Sequence, residues 1–378
     1  MNKVALNALA LNPFSGGLGI YLQQLVSFFM QEETELDLCI YLNERDAATM
    51  IPQDVCKDGL VNLQIPSRNA PVRIFKEALL WPKILKQGRF DLFHSPMSYF
   101  PFAIPVPAVL TVHDLRSFHL DDSYGMVRRI FLNQRISSSV KRAKHIIAIS
   151  QFTKDDIMSL FNIPDKQISV IHEGIDVDRF RIPVSQEKWL AIQQRYGLPD
   201  EYILSVGHLE PRKNYIALLQ AYLQLQERAQ PLPPLVIVGQ KNWDYEPIFR
   251  FVSNNGLGQS VVFTHFVDTD DLPAIYQKAL FFITSSLYEG FGFTPLEAMA
   301  AGTPVAFSNV TSLPEIVGPA GLGFNPRDPE EIANQMERLL KDPLLRQELI
   351  SKGTENIQRF SWDACCRQTL ALYHQILS

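Results

Sequence analysis

The 378-residue sequence predicts an α/β protein made of two doubly wound, Rossmann-like domains. Three observations predict it. Short β-branched or apolar runs alternate with longer helical patterns along the whole chain. Those runs are nearly continuous in hydrophobicity, as in parallel strands covered by helices on both faces. The alternation then restarts near residue 200, after a polar stretch, Ile175–Glu201, that carries Pro183 and Pro199 and no strong strand. A chain of this length is long for one core and comfortable for two.

In the first half strands are expected at Val4–Leu11, Asp37–Leu42, Leu92–Ser95, Ala108–Asp114 and His145–Ser150. In the second half they are expected at Tyr202–Gly207, Pro234–Gly239, Val261–Val267, Leu280–Ser286 and Thr303–Asn309. Amphipathic stretches lie between them. Tyr21, Leu25, Phe28 and Phe29 fall at i, i+4, i+7 and i+8, one face of a helix. Trp362–Leu377 also reads as helical. Ligands of such sheets bind beyond the carboxyl ends of the strands, and the crevice between two domains is the default site.

Composition narrows the class. A net charge of −5 argues against a nucleic-acid binder. Cys39, Cys56, Cys365 and Cys366 show neither CxxC nor metal-ligand spacing and are too few for a disulfide scaffold, which fits a reducing cytoplasm. The apolar run after Lys3 is interrupted by Asn7 and Asn12 and followed by Pro13, so it reads as a first strand and not as a signal peptide. No run of eighteen or more apolar residues is free of charge, so no membrane span is expected.

Three loops carry candidate chemistry, each just after a predicted strand. Asn12–Gly19 contains Gly16, Gly17 and Gly19 and opens a helix; glycine permits close backbone approach and a helix start favours an anion. It is neither GxGxxG nor a P-loop, and a plain turn with positive φ explains it as well. Gly207–Asn214 holds Arg212 and Lys213, adjacent cations suited to a diphosphate or simply to solvent. Tyr288–Ala298 holds Glu289 in a glycine-rich loop, followed by Gly292, Phe293, Thr294, Pro295 and Glu297. Thr294 suits an N-cap, Pro295 the first helical position, and Glu297 then completes a capping box. Glu289 has no such structural excuse.

Glu289 and Glu297 form the E-x7-E pair of GT-B glycosyltransferases, and the surrounding sequence resembles glycosyltransferase family four. The same family shows a Gly-Gly-x-Gly loop (Gly16–Gly19), His-Asp after a strand (His113-Asp114), Ser-x-Phe (Ser150–Phe152), Gly-Val-Asp near the hinge (Gly174-Ile175-Asp176) and Glu-Pro-Arg-Lys-Asn (Glu210–Asn214). Glu297–Pro304 and Ser312–Glu315 also match. The motifs span nearly the whole chain in the expected order. The closest flavour is that of bacterial mannosyltransferases of surface polysaccharide synthesis. His172-Glu173 departs from the pattern, since many relatives carry Asn or Pro-Asn before the hinge glycine.

The resemblance implies a GT-B fold, two Rossmann-like domains facing a central cleft. The first domain, residues 1–178, would serve the acceptor side, with a terminal helix, 361–378, packing back onto it. The second, 179–360, would bind the nucleotide-sugar donor, and the two would close around it. It implies that Glu289 hydrogen-bonds donor sugar hydroxyls and Glu297 the ribose, and that Arg212 and Lys213 neutralise the diphosphate and the leaving group. Backbone amides near Gly17 and at Phe293–Thr294 would contact phosphates, Gly16, Phe291 and Gly292 would also take part in binding the donor, and His113 would reach the sugar from the first domain. For His113 alone, a satisfied strand-end histidine is an equal reading. The resemblance implies transfer of a hexose with retention, mannose from GDP-mannose being preferred over UDP- or dTDP-hexoses, to a glycan or lipid-linked oligosaccharide.

No metal or other cofactor is expected. Asp176-Val177-Asp178 and Asp268-Thr269-Asp270 resemble metal-binding Asp-x-Asp, but aspartates at turns and caps are common, and Arg212 and Lys213 already supply positive charge. Two basic stretches of the first domain read either as solvated helix faces or as contacts to anionic lipid at the inner face of a membrane: Arg68, Arg73, Lys76, Lys83, Lys86 and Arg89 around Trp81, and Arg128, Arg129, Arg135, Lys141, Arg142 and Lys144. Among rival enzymes, a glycogen-type phosphorylase would need a pyridoxal-linked lysine for which no motif is evident, a sugar-nucleotide epimerase shares the architecture, and a nicotinamide dehydrogenase would need GxGxxG. A non-catalytic sugar-binding protein is the non-enzyme alternative, opposed by the intact Glu289, Glu297, Arg212 and Lys213.

Overall fold

The computed structural model describes residues 1–12, 16–43, 50, 59–63, 65, 70–101, 103–120, 125–228 and 231–378. The chain divides into two compact units, Met1–Gly174 with Ser361–Ser378, and Ile175–Phe360.

The first unit runs β1 (Lys3–Asn7), α1 (Gly16–Gln31), β2 (Asp37–Leu42), β3 (Leu60–Asn62), α2 (Ala70–Gln87), β4 (Leu92–Ser95), β5 (Ala108–Val112), α3 (Arg116–His119), α4 (Met126–Arg142), β6 (His145–Ala148), α5 (Gln151–Phe161) and β7 (Ile168–Val170). The second runs α6 (Val177–Arg181), α7 (Gln186–Tyr196), β8 (Ile203–Val206), α8 (Tyr215–Arg228), β9 (Leu235–Val238), α9 (Glu246–Asn254), β10 (Val261–His265), α10 (Leu272–Lys278), β11 (Phe281–Thr284), α11 (Phe293–Ala300), β12 (Val305–Ser308), α12 (Leu313–Val317), β13 (Gly321–Phe324), α13 (Pro329–Lys341) and α14 (Pro343–Asn356). The last helix, α15 (Trp362–Leu377), belongs to the first unit.

Both sheets are parallel throughout. Seven strands are ordered β3-β2-β1-β4-β5-β6-β7, and six are ordered β10-β9-β8-β11-β12-β13. This is the predicted class. Strand order reverses between β1 and β4 and between β8 and β11, and the crevices there are the natural ligand sites. All four β11 residues are buried, as are those of β4, β9 and β12, which is why these strands read as continuous apolar runs.

The three strands absent from the sequence expectations, β3, β7 and β13, all lie at sheet edges. Each is three or four residues long and partly exposed, so each lacks the apolar run that marks a central strand. The segment before residue 201 holds α6 and α7, both within the second unit.

Helices cover both faces of the first sheet. One face packs Tyr21, Leu22, Leu25 and Phe29 of α1 with Cys365, Cys366 and Tyr373 of α15; Phe28 of the expected helix face is only half-buried. The other face packs Trp81 and Leu85 of α2, Ile136 and Val140 of α4, and Ile157 of α5. Cys39, Cys365 and Cys366 are free thiols, and Cys56 lies outside the described residues.

Candidate active site

In the second unit the loops after β8 and β11 meet at the switch point. After β8 the chain makes one 3-10 turn, Pro211–Lys213, ended by Asn214 in the left-handed region. Glu210, almost wholly buried, organises this turn. Its Oε1 accepts from Arg212 Nε at 2.8 Å and its Oε2 from Asn242 Nδ2 at 2.7 Å. The turn is tied to the other loop through the backbone: Leu287 N–H donates to Arg212 O, and Ser285 Oγ donates to Lys213 O, each at 2.8 Å.

Glu289 is held where these loops meet. Lys213 Nζ approaches its Oε1 at 2.7 Å and Arg212 Nη1 its Oε2 at 2.8 Å. Arg212 Nη1 also donates to Tyr288 O at 2.9 Å. From behind, the Glu289 N–H donates to Thr311 Oγ1 at 3.1 Å, and Ser312 Oγ lies 2.9 Å from Glu289 O and 2.7 Å from Phe291 O. The Glu289 side chain is 16% exposed. Burial raises its carboxyl, but Arg212 and Lys213 outweigh burial and hold it at about 2, well below the ordinary 4.5. Burial lowers the Lys213 ammonium, with Glu289 pulling it back. Two cations and two carboxylates thus form a cluster of no net formal charge.

The next helix begins earlier than expected. It starts at Phe293 behind Gly292, with no side-chain cap, so Thr294 and Pro295 are its second and third residues and no capping box forms. Gly292 decides this: at φ 122° it turns the chain into the helix, and a Cβ there would lie 2.7 Å from Leu313 Cδ2. Glu297, freed of any capping duty, accepts from Tyr276 Oη at 2.8 Å. Burial raises its carboxyl, partly opposed by that hydrogen bond. The Phe291 ring is buried against the Phe293 and Phe360 rings.

In the first unit Gly16 and Gly17 begin α1, with Gly16 exposed and at φ 55°; Pro13–Ser15 lie outside the described residues. His113 follows β5. Its Nδ1 lies 3.1 Å from Glu173 Oε1 and its Nε2 2.9 Å from Pro96 O, and the Tyr21 ring meets it edge-on at 5.0 Å. Beneath it, fully buried His94 contacts Thr111 Oγ1 at 2.8 Å and the Tyr373 hydroxyl; burial and then His113 push its imidazole down to about 3, so it is neutral.

The structure therefore brings Arg212, Lys213 and Glu289 together and places Glu297 with Tyr276. Sequence reasoning named no role for Glu210, Asn242, Tyr276 or Glu173. Glu210 lies inside the Glu-Pro-Arg-Lys-Asn motif, and Glu173 stands out as the departure before the hinge glycine; Asn242 and Tyr276 lie far from any motif and carried no signal. Asp176 caps α6 by accepting from Arg179 N–H, which accounts for the first Asp-x-Asp. Among the described residues no three His, Cys, Asp or Glu groups gather as metal ligands.

The comparisons define the class. The family model "Glycosyl transferases group 1" matches residues 190–356, and "Glycosyltransferase Family 4" matches 15–179. O-antigen chain mannosyltransferase B of Escherichia coli is 33% identical over 311 residues, 81% of each chain. The serotype-specific mannosyltransferase WbdA of Escherichia coli is 34% identical over 264 residues, 68% of this chain but 32% of that protein. Among solved structures, sucrose-phosphate synthase of Thermosynechococcus elongatus has TM-score 0.77 at 22% identity, covering 100% and 99% of the two chains. Anabaena HepE in complex with UDP-glucose has TM-score 0.73 at 18% identity, covering 99% and 100%. The fold is that of the GT-B enzymes and the class is glycosyltransferase. The chain belongs to glycosyltransferase family four, and among its relatives are bacterial mannosyltransferases.

Proposed function

We propose that the chain is a hexosyltransferase that moves mannose from GDP-mannose to a glycan or lipid-linked oligosaccharide, with retention and without a metal ion. The observation that carries this reading is the Arg212–Lys213–Glu289 cluster at the β8/β11 switch point. The mannosyltransferase relatives support the sugar. In this reading Arg212 and Lys213 bind the donor diphosphate, Glu289 a sugar hydroxyl, Glu297 the ribose, the backbone at Gly16, Gly17 and Gly292–Thr294 the phosphates, and His113 the sugar.

The reading favours a front-face mechanism. The bond from the anomeric carbon to the phosphate oxygen breaks, and a bond to the acceptor oxygen forms on the same face. The acceptor's proton passes to the departing phosphate, and the nucleoside diphosphate leaves. Glu289 supports this because both its oxygens are held by cations, which makes it a poor nucleophile compared with the free carboxylate of a retaining glycosidase. Arg212 and Lys213 stabilise charge as it grows on the phosphate.

The experiment is a calorimetric titration with GDP, UDP, dTDP and ADP, with and without EDTA, followed by turnover of Glu289→Ala. GDP binding that survives EDTA, with turnover lost in the variant, supports the proposal. Binding that needs a divalent ion, or normal turnover of the variant, overturns it.

Lipid contact is the second part of the reading. On α2, Val72, Phe75 and Leu79 are exposed beside Lys76 and Lys83; on α4, Met126, Val127, Ile130 and Phe131 are exposed around Arg128. Both helices pack on one face of the sheet, and each leads directly into the next parallel strand, so their N-terminal halves lie toward the strands' carboxyl ends. An apolar stripe edged by cations suits an anionic bilayer surface. Arg135 is not part of it, being buried with Nη2 donating to Phe100 O at 2.7 Å. Arg68 lies outside the described residues, as does the Arg73 side chain. No helix among the described residues is long and apolar enough to cross a membrane.

A further inference from the structure

The His113 ring is engaged at both nitrogens, and each partner constrains its protons. Pro96 O, 2.9 Å from Nε2, is a carbonyl and can only accept, so Nε2 carries a proton. Glu173 Oε1, 3.1 Å from Nδ1, belongs to a carboxyl 1% exposed. A bare Nδ1 facing a bare carboxylate would set lone pair against lone pair, so a proton lies between these two atoms as well. Held this way, His113 has no free lone pair. With both nitrogens engaged, it is poorly placed to act as a base.

The segment bearing Glu173 is fixed independently of the histidine. Ile171 N–H donates to Ala148 O at 3.0 Å, continuing the β6/β7 pairing. At Gly174 the backbone of Trp362 comes so close that a Cβ would lie 2.3 Å from Trp362 N. A buried carboxylate needs a charged or hydrogen-bonded partner, and the ion pair formed by Glu173 is with His113. Tyr21 fixes the ring from its side at an interplanar angle of 81°.

We propose that Glu173 is a positioning residue for glycosyl transfer: it holds the His113 ring in one orientation with a proton on each nitrogen, so that His113 presents a fixed imidazolium, and not a base, to the reacting sugar. This rests on the role given to His113 above, and it assigns a function to the residue that breaks the family motif.

The test uses the full chain labelled with ¹⁵N-histidine, with the His113 signals identified by their loss in His113→Asn. The wild type is expected to show both ring nitrogens protonated. Glu173→Gln, whose amide can donate to Nδ1, is expected to show a proton on Nε2 only. In kinetics Glu173→Gln is expected to lower kcat at least tenfold with KM for the donor within twofold of wild type. Glu173→Asp, which keeps the charge on a shorter arm, should recover part of that loss. The double variant with His113→Asn should be no slower than His113→Asn alone. Unchanged His113 signals in Glu173→Gln, a wild-type kcat, or losses that multiply in the double variant would overturn the proposal. Should Glu173→Gln fail to fold, the wild type decides: protons on both His113 ring nitrogens support the proposal, and a ring nitrogen without a proton overturns it. The nitrogen signals do not depend on which donor is used, so a mistaken donor is separable from a mistaken role for Glu173.

Discussion

Replacing Glu289 by glutamine keeps the shape of the side chain and removes its charge. In the wild type the carboxyl is held at about 2 instead of 4.5 by Arg212 and Lys213, against burial. At about 1.4 kcal/mol per pH unit that gap corresponds to about 3 kcal/mol of stability. The group is depressed in the fold, so its contribution is fully present above pH 4.5 and is lost as pH falls toward 2. The variant cannot titrate and lacks the contribution at every pH. Hydrogen exchange of β8 and β11 peptides reports the second unit by itself, and about 3 kcal/mol corresponds to roughly a hundredfold faster exchange from the globally open state. The variant should show that acceleration at pH 7, and the difference should shrink below pH 4.5. Because the cluster of Arg212, Lys213, Glu210 and Glu289 then gains one net positive charge, pyrophosphate should bind the variant more tightly. Equal exchange at pH 7, or a difference that does not shrink with acid, would refute the electrostatic reasoning.

Glu297→Gln should have the opposite effect on stability. Burial raises that carboxyl, with Tyr276 opposing, so its favourable contribution is present below its ordinary range and lost as pH rises; a neutral glutamine should leave the second unit more stable at pH 8 by thermal unfolding while weakening nucleotide binding in calorimetry. Gly292→Ala forces a side chain at φ 122° toward Leu313 and should destabilise the second unit by about 1–3 kcal/mol in urea unfolding; no loss would mean that the loop relaxes freely. Phe75→Asp with Ile130→Asp should abolish flotation on phosphatidylglycerol vesicles at low salt; flotation equal to wild type would remove the lipid surface from consideration.

Much of the fold was legible because its central strands are short apolar runs buried on both faces, such as Phe281–Thr284 and Val305–Ser308. The edge strands β3, β7 and β13 were not legible, since half-exposed strands of three or four residues carry no such run. In the site, Arg212, Lys213 and Glu289 were each visible as loop residues beyond strand ends. The capping box at Thr294 was a misreading of a local pattern: Gly292 and its packing against Leu313 started the helix at Phe293, and Glu297 turned to Tyr276.

The sequence by itself determined the class of fold, the loops that carry charge and the family, because hydrophobic period, glycine placement and motif order are properties of neighbours along the chain. Which charge neutralises which was decided only by tertiary structure. Glu289 meets Lys213 across 76 residues and His113 meets Glu173 across 60. Parallel strands bring those loops to the same end of each sheet, and the energy of a buried ion pair depends on distance and burial, neither of which separation in sequence encodes.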